Sequence, residues 1–600
     1  MKSKARWIWY PGDMELYYAM KQNFSRVERG MGWPAFWKSE GFRNRIVLRH
    51  TYDLEEETSF TVRGNKDAVG HVVVGERKYP LGKEIHCPKG TVRISVHLGS
   101  IASFPAACIL GDVISSDETW MAEDYAQDPV PAGCSSFFED ADQDPSVWPY
   151  SEKVFEPVRV ERHMGGPLFV FEQEMTASLE LEWKGWPRPC RVYIGETRAE
   201  ALDTENCYCV CEPGPDGLCE KNAVHYVYVT NSTPEILRIR ARHQYVDLPV
   251  RVTFDSPDPK LRRIWEVAEH TFRLCSGIFF LDGVKRDRWI WGGDAYQSMF
   301  VNRYLFRDAD IDRRTFRALF GNAPAVTHIN TILDYSLLCV IGVKEHYEFY
   351  QDLPFLVEMF PKMQSVLALC ESQEEEHGFV AGRNQDWEFI DWADFDRSGP
   401  LAAEQMLYAA AFQAMEQAAS FLNRPSEAGM YRDRQEKLVE EINRNYWDEE
   451  KGAYVDSFLS GRRHVTRHAN IFAIRYGLAD PVRKERILKE VLLNSKIPAI
   501  TTPYFRFFEL EALCSMGCTD QVMETILSYW GGMLDLGADT FWEAYDPQKK
   551  PQEQYEMYGD PYGKSMCHAW AASPIYLLAR YFNGKNNITV TIQTGQGEMI

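Results

Sequence analysis

The feature that most constrains the fold is a helical periodicity that begins near residue 257 and continues to about residue 583. At its start, Leu261, Ile264, Trp265, Ala268 and Phe272 recur at the three- and four-residue spacing of one helix face. The pattern predicts twelve helices, at 257–278, 294–307, 311–320, 331–344, 351–371, 399–424, 427–446, 465–477, 482–494, 504–517, 519–531 and 565–583. Paired as antiparallel hairpins in a ring, they would form an (α/α)6 six-hairpin barrel. A bundle or a solenoid fits the same number of helices, but no repeat period supports a solenoid.

The residues before about 255 have the character of β-structure. Runs such as 45–50, 71–74, 224–229 and 236–241 are short, rich in β-branched residues and separated by Gly, Pro, Asp and Asn. They predict two β-sandwich domains, at 1–125 and 126–254, joined by a polar segment at about 124–149. The chain is therefore expected to be multidomain, with a helical catalytic domain at 255–584 and a short C-terminal tail at 585–600. A strand-like piece in that tail is expected to add an edge strand to one of the sandwiches.

The charge of the chain restricts its partners. A net charge of −21 argues against nucleic acid and anionic membranes, which need a basic face. An uninterrupted apolar run long enough to cross a membrane is not found, and no signal peptide is predicted, so a cytoplasmic protein is expected. The fourteen scattered cysteines fit a reducing compartment.

The stretch Leu281–Asp294 combines side chains that rarely occur together. It holds three carboxylates, three basic residues and two tryptophans in fourteen positions. This mixture suits the wall of a polar pocket, where aromatic faces pack on a sugar ring and charged groups bind its hydroxyls. The alternative is a charged turn before a helix, with Asp294 as the N-cap of a capping box completed by Gln297.

Two later stretches have a similar mixture and also lie between predicted helices. In Gly537–Asp546, Glu543 stands between Trp542 and Tyr545, where it could act on a bound water or simply be an exposed loop residue. In 385–396, five acids accompany two tryptophans, which suggests sugar contacts or N-capping rather than a calcium loop. Motifs of metalloproteases, serine hydrolases and nucleotide-binding proteins are not found in the sequence.

The helical region resembles the catalytic domain of family 78 glycoside hydrolases, the bacterial α-L-rhamnosidases. The resemblance covers about residues 255–583 and depends on four motifs in the order of the family. These motifs are Ser256–Cys275, Asp282–Asp294, Ile390-Asp391-Trp392 and Phe541-Trp542-Glu543, and His568 falls at a further family position.

The resemblance implies an inverting exo-glycoside hydrolase that releases terminal α-L-rhamnose from oligosaccharides or plant glycosides. Carried over by position, Asp287 is the general acid and Glu543 the general base. The expected substrate-binding residues are Asp282, Arg286, Trp291, Asp294, Asp391, Trp392, Trp542 and His568. The expected partner is a small carbohydrate, no cofactor or metal is expected, and a homo-oligomer is left open.

One departure from the family keeps an alternative open. The family usually has Glu at the acid position, where this chain has Asp287, whose side chain is one methylene shorter. A misplacement of about 1 Å can cost ~10²-fold in rate. The alternative is therefore a non-catalytic or altered-specificity carbohydrate-binding protein on the same scaffold. A lyase or phosphorylase on an (α/α)6 scaffold is a further, less favoured hypothesis.

Overall fold

The computed structural model describes residues 5–24, 41–124, 128–186 and 188–593. In these residues the chain divides into two compact units, one extending to Ser151 and the other starting at Glu152. The first unit thus extends beyond residue 125, where the sequence analysis placed its end. The segment predicted to be a linker packs within it, because Phe138 and Trp148 are buried and Tyr18 donates to the carbonyl of Pro145 at 2.7 Å.

The first unit consists of two antiparallel sheets. A four-stranded sheet has the order β1-β8-β3-β6, and a six-stranded sheet has the order β10-β9-β2-β7-β4-β5. Alternate residues of both sheets, such as Leu48 and Val62, share one apolar core, so this unit is a β-sandwich as predicted. Its elements are β1 Trp7–Trp9, α1 Asp13–Phe24, β2 Arg45–Leu54, β3 Thr58–Gly64, β4 Val69–Val74, β5 Arg77–Pro80, β6 Ile85–Cys87, β7 Gly90–Gly99, β8 Ala106–Gly111, β9 Met121–Glu123 and β10 Val130–Pro131.

The next strands form one hydrogen-bonded sheet of seven strands in the described residues, where the sequence analysis expected a second two-sheet sandwich. The reason is β13, an eighteen-residue strand that pairs with β12 and β16 along its first part and with β16 and β17 along its second. The elements are β11 Ser151–Phe155, β12 Arg159–His163, β13 Gly166–Trp183, β14 Val192–Gly195, α2 Arg198–Leu202, β15 Cys209–Cys211, β16 Leu218–Val229 and β17 Leu237–Tyr245. We call this the seven-stranded sheet.

Every helical segment predicted from the sequence contains helix in the structure, which describes all residues from 257 to 583. Side chains of Asp258, Asp308, Asp352, Asp480 and Thr502 cap helix N-termini, the position that such residues favour. The helices are α3 Pro259–Leu274, α4 Gly292–Arg303, α5 Ala309–Phe320, α6 Leu333–Tyr350, α7 Leu353–Glu371, α8 Ala402–Phe421, α9 Pro425–Asn445, α10 Arg467–Arg475, α11 Pro481–Ile487, α12 Pro503–Ser515, α13 Thr519–Thr525, α14 Gly531–Asp535 and α15 Pro574–Tyr581. A π-helical turn extends α11, and another joins α13 to α14.

Alternate helices contact one another in sequence. Helix α4 contacts α6, α6 contacts α8, α8 contacts α10, and α10 contacts α12, which contacts α4 and the 3-10 turn Ala569–Ala572. These helices are largely buried, whereas α9 exposes most of its surface. The loops that lead into the buried helices hold most of the acidic and aromatic stretches found in the sequence.

Two further pairings complete the described chain. The C-terminal strand β21, Thr589–Ile592, pairs with β18, Val252–Asp255, and the short strands β19, Trp447–Asp448, and β20, Ala453–Tyr454, form a hairpin. The predicted edge strand therefore exists, but it pairs with β18 and joins neither the sandwich nor the seven-stranded sheet. Residues 594–600 of the predicted tail lie outside the described residues.

Helix α7 is long and apolar enough to cross a membrane, by length and composition alone. About half of α7 is buried inside the protein, and Glu358 on this helix accepts hydrogen bonds from Arg317 at 2.7 and 2.8 Å. A core helix of a folded domain passes the same composition test. The helix therefore carries no conclusion about a membrane.

Candidate active site

The loop between α3 and α4 is folded back on itself by Asp282. The backbone N–H of Trp289 donates to the Asp282 carboxylate at 2.9 Å, and the N–H of Asp282 donates to the carbonyl of Trp289 at 3.1 Å. The carbonyl of Asp282 also accepts from Ala569 at 2.7 Å. This contact joins the first interhelical loop to the last one, which contains His568.

Helix α4 begins earlier than the sequence predicted. Its N-cap is Trp291, so Asp294 lies inside the first turn and is not the N-cap that the capping-box alternative required. Gly293 makes this start sterically accessible, since a Cβ there would lie 2.5 Å from the Tyr335 ring and 2.7 Å from the Tyr504 hydroxyl. The buried Asp294 carboxylate is favoured near the helix N-terminus by the backbone N–H groups.

Arg286 and Glu543 form a buried ion pair between the first and last interhelical loops. Nη2 of Arg286 lies 2.6 Å from both oxygens of Glu543, and Nε donates to the carbonyl of Gly563 at 2.7 Å. Nη1 of Arg286 lies 3.8 Å from the carboxylate of Asp287. One guanidinium therefore contacts both carboxylates that the sequence analysis assigned to catalysis.

Glu543 is fixed by its own loop as well. Its carboxylate accepts from the backbone N–H of Ser565 at 3.1 Å, and its carbonyl accepts from the indole N–H of Trp570 at 2.9 Å. The residue is only 3% exposed, which excludes the alternative of a solvent-exposed loop glutamate. Burial works against the charge on Arg286, but the Glu543 carboxylate raises the pKa of Arg286 well above its ordinary value.

Both assigned carboxylates line one cavity of about 400 Å³, a volume that includes the solvent at its mouth. Six of the eight predicted substrate-binding residues line it with Asp287 and Glu543: Asp282, Arg286, Trp291, Asp294, Trp392 and His568. The remaining lining residues were not predicted from the sequence: Ile332, Tyr335, Trp387, Phe389, Tyr558 and Trp570.

Aromatic rings form a continuous wall of this cavity. Ring centroids are 6.2 Å apart for Trp291 and Tyr335, 5.9 Å for Tyr335 and Phe389, and 4.7 Å for Phe389 and Trp392. The rings come from two different loops and from α6. A wall of this kind packs against the apolar face of a sugar, while the acids that line the same cavity can bind its hydroxyls.

Asp391 and Trp542 lie outside the residues that line the cavity. The Asp391 carboxylate accepts from Thr502 at 2.6 Å and from the N–H of Trp392 at 2.8 Å, and it lies 3.0 Å from Nε2 of His468. These contacts hold the loop that presents Trp392. Trp542 is buried and packs edge-on against Tyr545 with centroids 6.0 Å apart.

Burial shifts the pKa values of Asp294 and His568, which line the same cavity as the aromatic rings. Nδ1 of His568 lies 3.5 Å from Oδ1 of Asp294, and within the described residues neither atom has a hydrogen-bond partner. Burial, together with the charge of Glu543, raises the pKa of Asp294 well above its ordinary value, and burial lowers the pKa of His568 well below its own. The unpartnered atoms of both side chains can exchange hydrogen bonds with sugar hydroxyls.

The loops around the cavity contain non-glycine residues with left-handed backbone conformations. Asp287 and Arg288 have φ of 55° and 46°, while Ile390 and Tyr558 have φ of 54° and 55°. This conformation is costly for most side chains, above all for a β-branched one such as Ile390. Such residues persist where the surrounding packing holds them, which is common at functional sites.

The sequence held a signal for some of the missed lining residues. Trp387 and Phe389 lie in the acidic and aromatic stretch that drew attention to Asp391, and Trp570 is two residues from His568. Tyr335 lies in α6, where it looks like an ordinary core residue. Tyr558 gives no local signal, because only the folded chain brings its loop to Arg286.

A metal site is not evident in the described residues, where no group of three or more His, Cys, Asp or Glu side chains has a suitable arrangement. The alternating Cys207, Cys209 and Cys211 form no disulfide bond within the described residues and pack into the apolar clusters of the seven-stranded sheet.

Comparisons with known proteins agree with this architecture. The family model for the bacterial alpha-L-rhamnosidase 6 hairpin glycosidase domain matches residues 250–582. A search of curated proteins found no match.

Among solved structures, the rhamnosidase from Klebsiella oxytoca with rhamnose bound is 24% identical, with a TM-score of 0.61, over 72% of this chain and 96% of that one. The GH78 family rhamnosidase of Bacillus sp. GL1 is 18% identical, with a TM-score of 0.60, over 90% and 67%. The Streptomyces avermitilis α-L-rhamnosidase complexed with L-rhamnose is 14% identical, with a TM-score of 0.59, over 93% and 65%. At these identities the likeness shows a shared fold.

The helical domain and these comparisons define a glycoside hydrolase. Since the family model spans more than half of the chain, this chain belongs to the bacterial α-L-rhamnosidases with a six-hairpin glycosidase domain. The family recognised from the sequence is thereby confirmed.

Proposed function

We propose that the protein is an inverting exo-glycoside hydrolase that releases terminal α-L-rhamnose from oligosaccharides or plant glycosides. The observation that carries the proposal is the position of Asp287 and Glu543 on one cavity, in contact with one guanidinium. Rhamnose as the sugar is supported by the family and by the rhamnose complexes of the Klebsiella and Streptomyces proteins.

The helical domain is proposed to be an (α/α)6 barrel. Support comes from the contacts among α4, α6, α8, α10 and α12, which return to α4 and thus describe a closed ring. In such a barrel the loops into the inner helices share one rim. This accounts for a cavity built from the loops before α4, α6 and α8 and from the last interhelical loop.

In the proposed mechanism, Asp287 protonates the glycosidic oxygen while Glu543 removes a proton from the attacking water. Both carboxylates contact the guanidinium of Arg286, Asp287 at 3.8 Å and Glu543 at 2.6 Å, and both line one cavity. The carboxyl groups of inverting pairs are typically ~6.5–9.5 Å apart. Arg286 holds the Glu543 carboxylate in place through contacts of 2.6 Å to both of its oxygens.

The polar side chains of Asp294 and His568 are proposed to bind the sugar. Asp294 and His568 have unpartnered atoms within the described residues, and both atoms are available to sugar hydroxyls. Trp291 and Tyr335 provide apolar surface in the same cavity, which suits the C6 methyl group of a deoxy sugar. A hexose with a hydroxyl group on C6 would place that hydroxyl against this apolar surface, at an energetic cost.

The test is hydrolysis of p-nitrophenyl α-L-rhamnoside, with the product anomer followed by NMR. We expect inversion, and we expect Glu543→Gln and Asp287→Asn each to lower kcat by about 10²- to 10⁴-fold, the usual contribution of general acid–base catalysis. Glu524→Gln, a substitution of an exposed residue on α13, serves as the matched control. Retention of configuration would refute the mechanism, and near-normal rates in both site variants would refute the residue assignment.

A second function, sugar binding without turnover, is favoured by one observation, the presence of Asp at position 287. The left-handed φ of 55° at Asp287 is a conformation that Asp adopts more readily than Glu, so this loop is suited to the shorter acid. Calorimetry with L-rhamnose distinguishes the two functions. Tight binding by a protein that leaves p-nitrophenyl α-L-rhamnoside intact would support the binding protein.

A further inference from the structure

A row of three aromatic rings crosses the mouth of the catalytic cavity. The centroids of Trp387 and Trp392 are 5.7 Å apart, and those of Trp392 and Tyr558 are 5.5 Å apart. Trp387 is 43% exposed and Tyr558 is 64% exposed, although both also line the cavity. Adjacent large aromatic side chains are seldom left exposed on a protein surface unless they bind something.

The row continues into a second, more open cavity of about 730 Å³, a volume that includes the solvent above it. Trp387, Phe389 and Trp392 line both cavities, so they form a shared wall between them. The outer cavity adds the exposed side chains of Asp394 and Arg397. Arg397 is fixed there by a hydrogen bond to the carbonyl of Glu388 at 2.7 Å.

The proposed proton transfers at the anomeric carbon belong to Asp287 and Glu543, and neither Trp387 nor Tyr558 takes part in them. An exo-acting enzyme must let the rest of its substrate leave through the mouth of the inner cavity. A leaving group larger than a single atom would then extend over the exposed rings. Asp394 and Arg397, one acceptor and one donor, lie beside the rings where hydroxyl groups of the leaving group could be bound.

We propose that Trp387, Trp392 and Tyr558 form a platform for the leaving group, and that the platform selects leaving groups with a flat ring face. This inference rests on the proposed function and adds the substrate class. A flat face is common to a second pyranose, through its C–H groups, and to an aromatic aglycone. Aromatic stacking contributes roughly 0.5–1.5 kcal/mol beyond buried area, or about 2- to 13-fold in affinity.

The experiment compares substrates that share the rhamnosyl group and differ in the leaving group. They are α-L-rhamnosyl fluoride, which has no ring beyond the sugar, rhamnosyl-(1→6)-glucose, and 4-methylumbelliferyl α-L-rhamnoside. For Trp387→Ala we expect kcat/KM for the ringed substrates to fall about 3- to 10-fold relative to the fluoride, mainly through KM. Trp387→Phe should restore most of this preference. The two ringed substrates show whether the platform prefers a sugar or an arene.

Trp186→Ala is the matched control, because Trp186 is 91% exposed and lies on the loop after β13. An unchanged ratio between ringed and fluoride substrates in Trp387→Ala would overturn the platform while leaving the proposed function intact. If wild-type protein cleaves none of the three, the proposed function fails separately. Calorimetry with methyl β-D-glucoside and 4-methylumbelliferone would then decide the platform, since weaker binding by Trp387→Ala supports it and equal binding refutes it.

Discussion

Asp294 is a residue of the candidate site whose buried carboxyl lowers the stability of the folded protein as the pH rises. Its carboxylate is 1% exposed and lies near Glu543 and Asp287, so its pKa is well above 3.8 in the folded protein. Unfolding restores the ordinary value. The folded state therefore binds a proton that the unfolded state has lost, and the contribution of Asp294 to stability falls as pH rises above about 4.

We predict that Asp294→Asn stabilises the protein and impairs it as an enzyme. The amide is neutral at every pH, so the unfolding temperature at pH 8 should rise and its decline between pH 5 and pH 8 should become shallower. Activity on p-nitrophenyl α-L-rhamnoside should fall by about 10²-fold, because a polar partner of the sugar is altered. Scanning calorimetry and steady-state kinetics measure both effects. A variant that loses stability at pH 8 would contradict the argument.

Residue-level prediction succeeded where one stretch of sequence carried the pattern. Asp282, Asp287 and Asp294 lie within fourteen residues of the sequence, together with two tryptophans, so the unusual composition of this stretch could be seen directly. Tyr335 and Tyr558 reach the cavity from α6 and from a distant loop, and nothing local distinguishes them from core or surface tyrosines. Contacts between distant loops depend on packing, which periodicity does not reveal.

At the scale of elements, a buried acid pair supports the loop that carries Trp387 and Phe389. Asp334, in the first turn of α6, accepts from the N–H groups of Phe389 at 3.0 Å and Ile390 at 3.2 Å. Glu404, in the first turn of α8, is fully buried beside it. Burial raises the pKa of Asp334 to about 7, while burial and the charge of Asp334 raise that of Glu404 well above its ordinary range.

We predict that Glu404→Gln makes stability less sensitive to pH. In the wild type both acids have raised pKa values in the folded state, so stability is lost as pH rises from about 4 through about 7. A glutamine is neutral and can donate to the Asp334 carboxylate, which removes part of that loss. Urea unfolding at pH 5 and pH 8 should show a smaller difference than in the wild type. Glu524→Gln should leave the difference unchanged, and an equal difference in Glu404→Gln would contradict the prediction.

Helices were easier to predict than sheet topology for a physical reason. A helix is specified by neighbours in sequence, through the spacing in α3 and caps such as Asp258 and Thr502. Strand pairing is a contact between distant residues. The length of β13 and its register shifts beyond Val170 and Ala177 decided that one sheet forms, and neither is visible in the local alternation of side chains.

Within the second unit, the seven-stranded sheet contributes charges to the catalytic loop. Lys285, which precedes Arg286, is buried and lies 2.8 Å from Glu200 of α2 and 3.2 Å from Glu196, which follows β14. Glu196 also accepts from the backbone N–H of Met566 at 2.8 Å. The two loops that carry Asp287 and Glu543 are therefore both anchored to Glu196, and the first also to Glu200, in the segment that follows β14.

This arrangement predicts that the whole unit, and not the helical domain alone, sets the geometry of the site. Lys285→Met should be destabilised by about 3–5 kcal/mol, since it leaves buried carboxylates without their cation. It should also lower kcat at least tenfold with a smaller change in KM, because Arg286 and Asp287 lose their anchor.

Lys285→Met combined with Glu200→Gln removes a carboxylate together with the ammonium, and we expect it to regain part of the lost stability but not the lost kcat. Chemical denaturation and kinetics of the single and double variants form a double-mutant cycle. A double variant no more stable than Lys285→Met, or a single variant with wild-type kcat, would show that the sheet carries the loop without positioning it.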